Sequence, residues 1–166
     1  MESDYTVGII TASDKGFKGE RIDESVQVIR EILEGRSYQV ARYTLLPDNE
    51  KKIYQELVYM SDELNLNLIL TTGGTGFSKR DVTPEATRRV VERLAPGISE
   101  AIRAYSLKIT PRAMLSRAIA GIRNETLIIN LPGSPKAVRE SLEYIIDTLD
   151  HGLEILLGYA GDCARD

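Results

Sequence analysis

Short apolar runs alternate along this chain with segments whose apolar residues recur every three or four positions. That is the pattern of an α/β domain built on a mainly parallel sheet. Residues 5–11 (YTVGIIT) read as a first buried strand, and Val26, Ile29, Ile32 and Leu33 make a helical stripe that ends near Gly35. Tyr38–Leu46 is rich in β-formers, and Ile53, Leu57, Met60 and Leu64 stripe a second helix. Residues 67–72 form the next strand; residues 84–94 and 98–106 are helical, parted by Pro96-Gly97. Thr126–Leu131 (TLIINL) is another continuous apolar strand. The last helix starts at Pro135 and buries Val138, Leu142, Ile145, Leu149, Leu153 and Leu156. Residues 108–123 carry no clear period, and the tail 158–166 reads as loosely ordered. No repeat or linker divides the chain, so residues 1–166 are expected to form one domain.

Two helix starts have favourable chemistry. Ser134 before Pro135 offers a hydroxyl to free amides while proline fits the first turn, and Thr83-Pro84 repeats that logic. In open α/β sheets ligands bind beyond the carboxyl ends of the strands. Four turns fall there: Ser13-Asp14 after the first strand, Asp48 in LLPDNE, residues 73–81 after the third strand, and Pro132-Gly133-Ser134 after TLIINL. Their convergence on one rim would make a single site.

The third of these turns carries most chemistry. A strand runs into Gly73, Gly74, Thr75 and Gly76, then Lys79, Arg80 and Asp81, and Thr83-Pro84-Glu85 opens a helix. Glycines let backbone amides approach a phosphate, and a helix N-terminus favours negative charge. A carboxylate beside a phosphate repels it unless a cation such as Mg²⁺ lies between. The spacing fits neither GxxxxGK[ST] nor GxGxxG, which removes the P-loop and dinucleotide readings. Each residue also has a plainer role. The glycines suit a tight turn, Asp48 or Asn49 suits a helix cap, and Asp81 suits a surface pair with Arg80 or Arg88. Ser13 and Asp14 suit an ordinary polar turn, and Ser134 a cap that also presents amides to an anion.

Composition narrows the ligand class. At 42% hydrophobic and 28% charged the 166-residue chain is an ordinary globular protein. A net charge of −4 argues against a broad nucleic-acid surface, though Lys79, Arg80, Arg88, Arg112, Arg117, Lys136 and Arg139 fall near the glycine-rich turns. The acidic start MESD is the wrong polarity for a signal peptide, and no apolar stretch approaches the roughly 20 residues that span a bilayer. The single cysteine, Cys163, excludes an internal disulfide and fits a reducing cytoplasm; with the single His151 it cannot build a structural zinc site. Any metal is therefore expected to be oxygen-ligated. Cys163 lacks a neighbouring base, and His151 lies on a helix away from the turns, so neither is expected to be catalytic.

With these residues in hand, the chain resembles the MogA/MoaB family of molybdenum-cofactor biosynthesis, which includes corresponding domains of gephyrin and its plant counterpart. The resemblance runs through VGIITASD, LLPD, LILTTGGTGFSKRDVTPEAT, SLKITPRAMLSRAIAGIRNETLIINLPGSPKAV and the final helix. It implies a three-layer α/β sandwich with a mixed, mostly parallel sheet, a homotrimer, and a molybdenum insertase as possible partner. RDVTPE, SLKITP and LIINLPG resemble the MogA-like branch, which transfers AMP from ATP to the molybdopterin phosphate. The alternative is a MoaB-like protein that binds molybdopterin, or scaffolds, without that transfer. The resemblance places the two important carboxylates, and Mg²⁺, on Asp48 and Asp81. It places the nucleotide phosphates on Gly73, Gly74, Thr75 and Gly76, and pterin-side hydroxyls on Ser106 and Ser116. Pro132, Gly133, Ser134 and Lys136 match a second phosphate-facing turn, with Ser13 and Asp14 in the first-strand motif.

Overall fold

The computed structural model describes residues 5–159. Its elements are β1 (Tyr5–Ala12), α1 (Asp14–Phe17), α2 (Glu24–Leu33), β2 (Tyr38–Leu46) and α3 (Glu50–Val58), which runs into a π turn (Tyr59–Glu63). There follow β3 (Leu68–Thr72), α4 (Thr83–Val90), β4 (Arg93–Leu94), α5 (Pro96–Leu107), a 3-10 turn (Pro111–Leu115), β5 (Ala120–Arg123), β6 (Thr126–Leu131) and α6 (Pro135–Leu156). Cys163 and most of the tail expected to be loose lie outside the described residues.

The strands form one sheet in the order β2-β1-β3-β6-β5-β4. β2, β1, β3 and β6 run parallel; at one edge β5 pairs antiparallel with β6, and β4 pairs antiparallel with β5. Successive residues of the central strands serve two cores. Val7, Ile9, Leu68, Leu70, Leu127 and Ile129 pack with α2, α5 and α6 on one face. Ile10, Ile69 and Ile128 pack with Ile53 and Leu57 of α3 and with Ala86 and Val90 of α4 on the other. Burial on both faces is why these strands read as unbroken apolar runs rather than as alternation. The result is the expected three-layer sandwich with a mixed, mostly parallel sheet.

Several boundaries differ from expectation for local reasons. The helix predicted over 84–94 ends at Val90, because Val91 turns extended and Arg93–Leu94 pairs with β5. α5 begins at Pro96, where proline fits the first turn. The stripe through Leu64 breaks at the π turn, whose extra residue leaves Leu64 37% exposed. The patternless stretch 108–123 resolves into the 3-10 turn and β5. Among the described residues no helix is long and apolar enough to cross a membrane.

The topology fixes where a ligand can sit. β1 lies between β2 and β3, so the chain leaves β1 toward opposite sides in making its next two parallel strands. The crevice opened by that reversal lies beyond the carboxyl ends of β1 and β3.

Candidate active site

An open cleft of about 1050 Å³ occupies that crevice. All four turns expected to converge contribute to it: Ser13 and Asp14, then Asp48, then Gly73, Gly74 and Asp81, then Gly133 and Ser134. A further wall comes from residues 20–25, between α1 and α2. These residues close the first-strand motif TASDKGFKGERIDES, within which only Ser13 and Asp14 were expected at the site.

The turns meet backbone to backbone, which accounts for the first glycine. A Cβ on Gly73 would stand 2.3 Å from the Ala12 carbonyl oxygen, and one on Gly133 would stand 3.3 Å from Gly73 Cα. Thr72 Oγ1 donates to the Pro132 carbonyl at 2.6 Å, and Ser25 Oγ donates to the Gly133 carbonyl at 2.9 Å. Gly74 and Gly76 have another reason: added Cβ atoms would meet Thr83 Oγ1 at 2.3 Å and Asp81 Oδ2 at 2.9 Å. These two glycines keep room beside carboxylates and hydroxyls rather than merely turning the chain.

The plainer roles of the carboxylates divide cleanly. Asn49, not Asp48, caps α3 by accepting from Lys52 N at 3.0 Å. Asp48 Oδ2 instead accepts from Asp14 N at 3.0 Å, and Asp14 Oδ1 accepts from Asp48 N at 3.0 Å. Asp48 Oδ1 is buried and has no hydrogen-bond donor. Burial pushes the Asp48 carboxyl above its ordinary range, with the neighbouring Asp14 and Asp81 charges adding to the shift. Asp81 does not form the surface pair expected with Arg80 or Arg88; its Oδ2 accepts from Ser78 N at 3.0 Å. Arg80 reaches Asp14 instead, donating from Nε at 2.9 Å and Nη2 at 3.0 Å. That guanidinium holds the Asp14 carboxyl below the usual range. Ser13 and Ser134 act as caps, accepting from Gly16 N and Ala137 N. Thr83 does not cap α4: Val82 stands at that position with no side-chain bond.

The basic residues expected around the glycines are not gathered in the cleft. Of the seven, only Arg80 lines it, and Arg80 is already paired. The lining carries six carboxylate side chains (Asp14, Glu20, Asp23, Glu24, Asp48, Asp81) against three basic ones (Lys15, Arg21, Arg80). The net side-chain charge of the lining therefore opposes an anion. Lys136 is exposed and lies 4.0 Å from Glu140.

Ser106 and Ser116 do not line the cleft. Ser106 sits on the last turn of α5 and Ser116 closes the 3-10 turn, on the flank where Arg117 grips the glycine segment. Arg117 N donates to the Thr75 carbonyl at 2.9 Å and its Nε to the Gly76 carbonyl at 2.7 Å. Its Nη2 donates to the Asp81 carbonyl at 2.8 Å and its Nη1 pairs with Glu85 at 2.5 Å. By sequence Arg117 counts as one more basic side chain; its position within MLSRA was the available signal. With the Gly74 carbonyl bonded to Thr83 N, the carbonyls of residues 74–76 are all taken by protein donors.

Among the described residues no three Asp, Glu, His or Cys side chains approach closely enough to hold a metal by themselves. The donors present are hard oxygens, the carboxylates of Asp48, Asp81 and Asp14. Such a set suits Mg²⁺, which keeps several waters and takes one or two carboxylates plus phosphate oxygens.

The family described as "Probable molybdopterin binding domain" matches residues 8–151. This chain belongs to it. As a family member it is 42% identical over 154 residues to a molybdopterin adenylyltransferase from Helicobacter pylori, covering 92% of this chain and 88% of that protein. Gephyrin from Dictyostelium discoideum is 42% identical across 93% of this chain, which spans 23% of gephyrin. The crystal structure of MoaB from Thermus thermophilus, called a molybdopterin biosynthesis enzyme, superposes with a TM-score of 0.89. It is 51% identical and covers 93% of this chain and 97% of its own.

Proposed function

We propose that this chain, acting as one domain over residues 1–166, is a molybdopterin adenylyltransferase of molybdenum-cofactor biosynthesis. The observation that carries the reading is Asp48 and Asp81 facing one cleft with the glycine turn, in a chain similar to named adenylyltransferases over most of its length. A phosphate oxygen of molybdopterin attacks the α-phosphorus of ATP. One P–O bond forms, the bond to the β-phosphate bridge breaks, and pyrophosphate leaves. In-line transfer of this kind needs alignment and charge neutralisation rather than a covalent nucleophile.

Asp48 and Asp81 are the groups that would hold Mg²⁺; the cation would neutralise phosphate charge that the acidic lining otherwise repels. The amides of Gly73, Gly74, Thr75 and Gly76 cradle the nucleotide phosphates, since the carbonyls of residues 74–76 are already engaged. Arg80 exchanges Asp14 for phosphate as charge develops. Ser13 and Asp14 shape the first-strand side of the cleft. Pro132, Gly133, Ser134 and Lys136 form the second phosphate-facing turn, with Gly133 and Ser134 on the cleft and Lys136 able to reach it from its exposed position. Ser106 and Ser116 take the pterin on the far flank of the glycine segment, held in place by Arg117. The working state is a cytoplasmic homotrimer that passes its product to an insertase.

The 51% identity to MoaB favours keeping one rival reading, a molybdopterin-binding protein that transfers nothing. Purified protein with ATP, Mg²⁺ and molybdopterin separates the two. Adenylylated pterin and pyrophosphate that disappear in Asp48→Asn and Asp81→Asn establish the transferase. Tight pterin binding without product moves the chain to the binding reading.

A further inference from the structure

Within RDVTPE, Thr83 is fully buried, its amide donates to the Gly74 carbonyl at 3.1 Å, and its carbonyl accepts from Thr87 Oγ1 at 2.9 Å. Its hydroxyl has no partner. At a common helix start this hydroxyl would cap the first turn; here Val82 takes the cap position and Thr83 turns its oxygen toward Gly74.

Asp48 Oδ1 is the other unmet atom at that place. The Cβ position of Gly74 lies 2.3 Å from Thr83 Oγ1 and 3.2 Å from Asp48 Oδ1. A hydroxyl that can donate and a carboxylate oxygen that can only accept therefore border the same notch, both shut off from water. The notch exists because residue 74 has no side chain. Buried polar atoms without partners are rare, and each calls for a role.

We propose that Thr83 is a positioning residue for Asp48. Thr83 Oγ1 and Asp48 Oδ1 are not bonded to each other as the cleft stands. When a cation is drawn against the other carboxylate oxygen, the hydroxyl donates to Oδ1 across the Gly74 notch and holds the carboxylate in one orientation. Oδ2, which accepts one amide from Asp14 and has a second lone pair, is then left as the oxygen facing the cleft. This rests on Asp48 being a cation ligand, as set out under Proposed function. It adds the outer contact that a ligating carboxylate needs to keep its aim.

The test is formation of the ternary Mn²⁺–ATP–protein complex, read by electron paramagnetic resonance on the full chain without pterin. Thr83→Val keeps the shape and deletes the hydroxyl; Thr83→Ser keeps the hydroxyl. Thr83→Val is expected to weaken Mn²⁺ binding by about 10- to 100-fold. Without metal or nucleotide its melting temperature should equal or exceed that of the wild type, since in that state the buried hydroxyl is unmet. Thr83→Ser should bind within about threefold of wild type. If valine prevents folding, Thr83→Ala carries the same comparison with serine. Wild-type Mn²⁺ binding by Thr83→Val alongside lost binding by Asp48→Asn overturns the positioning role alone. Wild-type binding by Asp48→Asn removes the cation from Asp48, and this inference falls with it.

Discussion

Asp14 and Asp48 hold each other through their backbones: the amide of each donates to the carboxylate of the other, at 3.0 Å in both directions. The first and second turns are thereby locked although 34 positions separate them in sequence. Two carboxylates in such contact repel, and the single guanidinium of Arg80 serves only Asp14. The Arg80 hydrogen bonds lower Asp14, whereas burial, more than the neighbouring charges, raises Asp48, so their ionisations shift in opposite directions.

Asp48→Asn should separate stability from activity. A carboxyl whose folded value stands above its unfolded one opposes folding once ionised. The penalty is absent below the ordinary value of 3.8 and grows as pH rises from there through the folded value. Asparagine keeps an acceptor for the Asp14 amide. The variant is expected to melt at or above the wild-type temperature at pH 7, with the gain gone well below pH 3.8. Turnover should fall by on the order of 10²-fold. Paired melts and a turnover assay check both; a clear loss of stability at pH 7 would contradict the burial argument.

Arg80→Ala should do the reverse of a structural lesion. The Arg80 side chain is 63% exposed, so its pair with Asp14 adds little to stability. The melting temperature is expected to stay within about 2 °C of wild type. Affinity for Mg²⁺–ATP should drop about tenfold, less at high ionic strength. Titration calorimetry at two salt concentrations measures this, and an unchanged affinity at both removes Arg80 from phosphate binding.

Two glycine-to-alanine changes should have opposite signs. Gly74 has φ +69° and its Cβ would overlap the Thr83 hydroxyl, so Gly74→Ala is expected to lose about 2 kcal/mol or more. Gly152 lies within α6 with nothing within 4 Å of an added Cβ. Gly152→Ala should gain about 0.5–1 kcal/mol from helix propensity and a less free unfolded chain. Urea unfolding of both variants decides the matter.

Asp62 ties the π turn to the far edge of the sheet. Its two oxygens accept from Arg123 at 2.9 and 2.7 Å, and Arg123 also donates to the Val90 carbonyl at 3.0 Å. The Arg123 hydrogen bonds hold the Asp62 carboxyl below its ordinary 3.8. Stability from this pair is present above that unfolded value and is lost as pH falls through the lower folded one. Asp62→Asn should therefore cost about 1 kcal/mol at pH 7, and progressively less as pH falls below the ordinary 3.8. Equal unfolding midpoints at pH 7 would show the pair to be idle.

The central strands were legible because burial on both faces leaves a continuous apolar run, as in Thr126–Leu131. The edge strand Tyr38–Leu46, mostly half-buried, was legible from its β-forming residues instead. β4 was not, since two exposed residues paired to a distant strand carry no period of their own. Leu64 misled because a π turn leaves no mark in an apolar stripe. The four site turns were legible from their place after strands. The partner of Arg80 was not: Asp14 is 66 positions away, and a salt bridge between turns follows from topology rather than local sequence. Ser106 and Ser116 came from resemblance alone, and they lie on a flank that the cleft does not reach.

The parallel order of β1, β3 and β6 has a consequence for how the chain acquires its site. Thr72 meets the Pro132 carbonyl across 60 positions, and Ser25 meets the Gly133 carbonyl across 108. Contacts this distant form only after the loops between them have closed, which makes such sheets slow to complete. The cleft therefore closes only once β6 has docked and brought the fourth turn to the other three. Until then Asp48 and Asp81 face a space that lacks one of its walls.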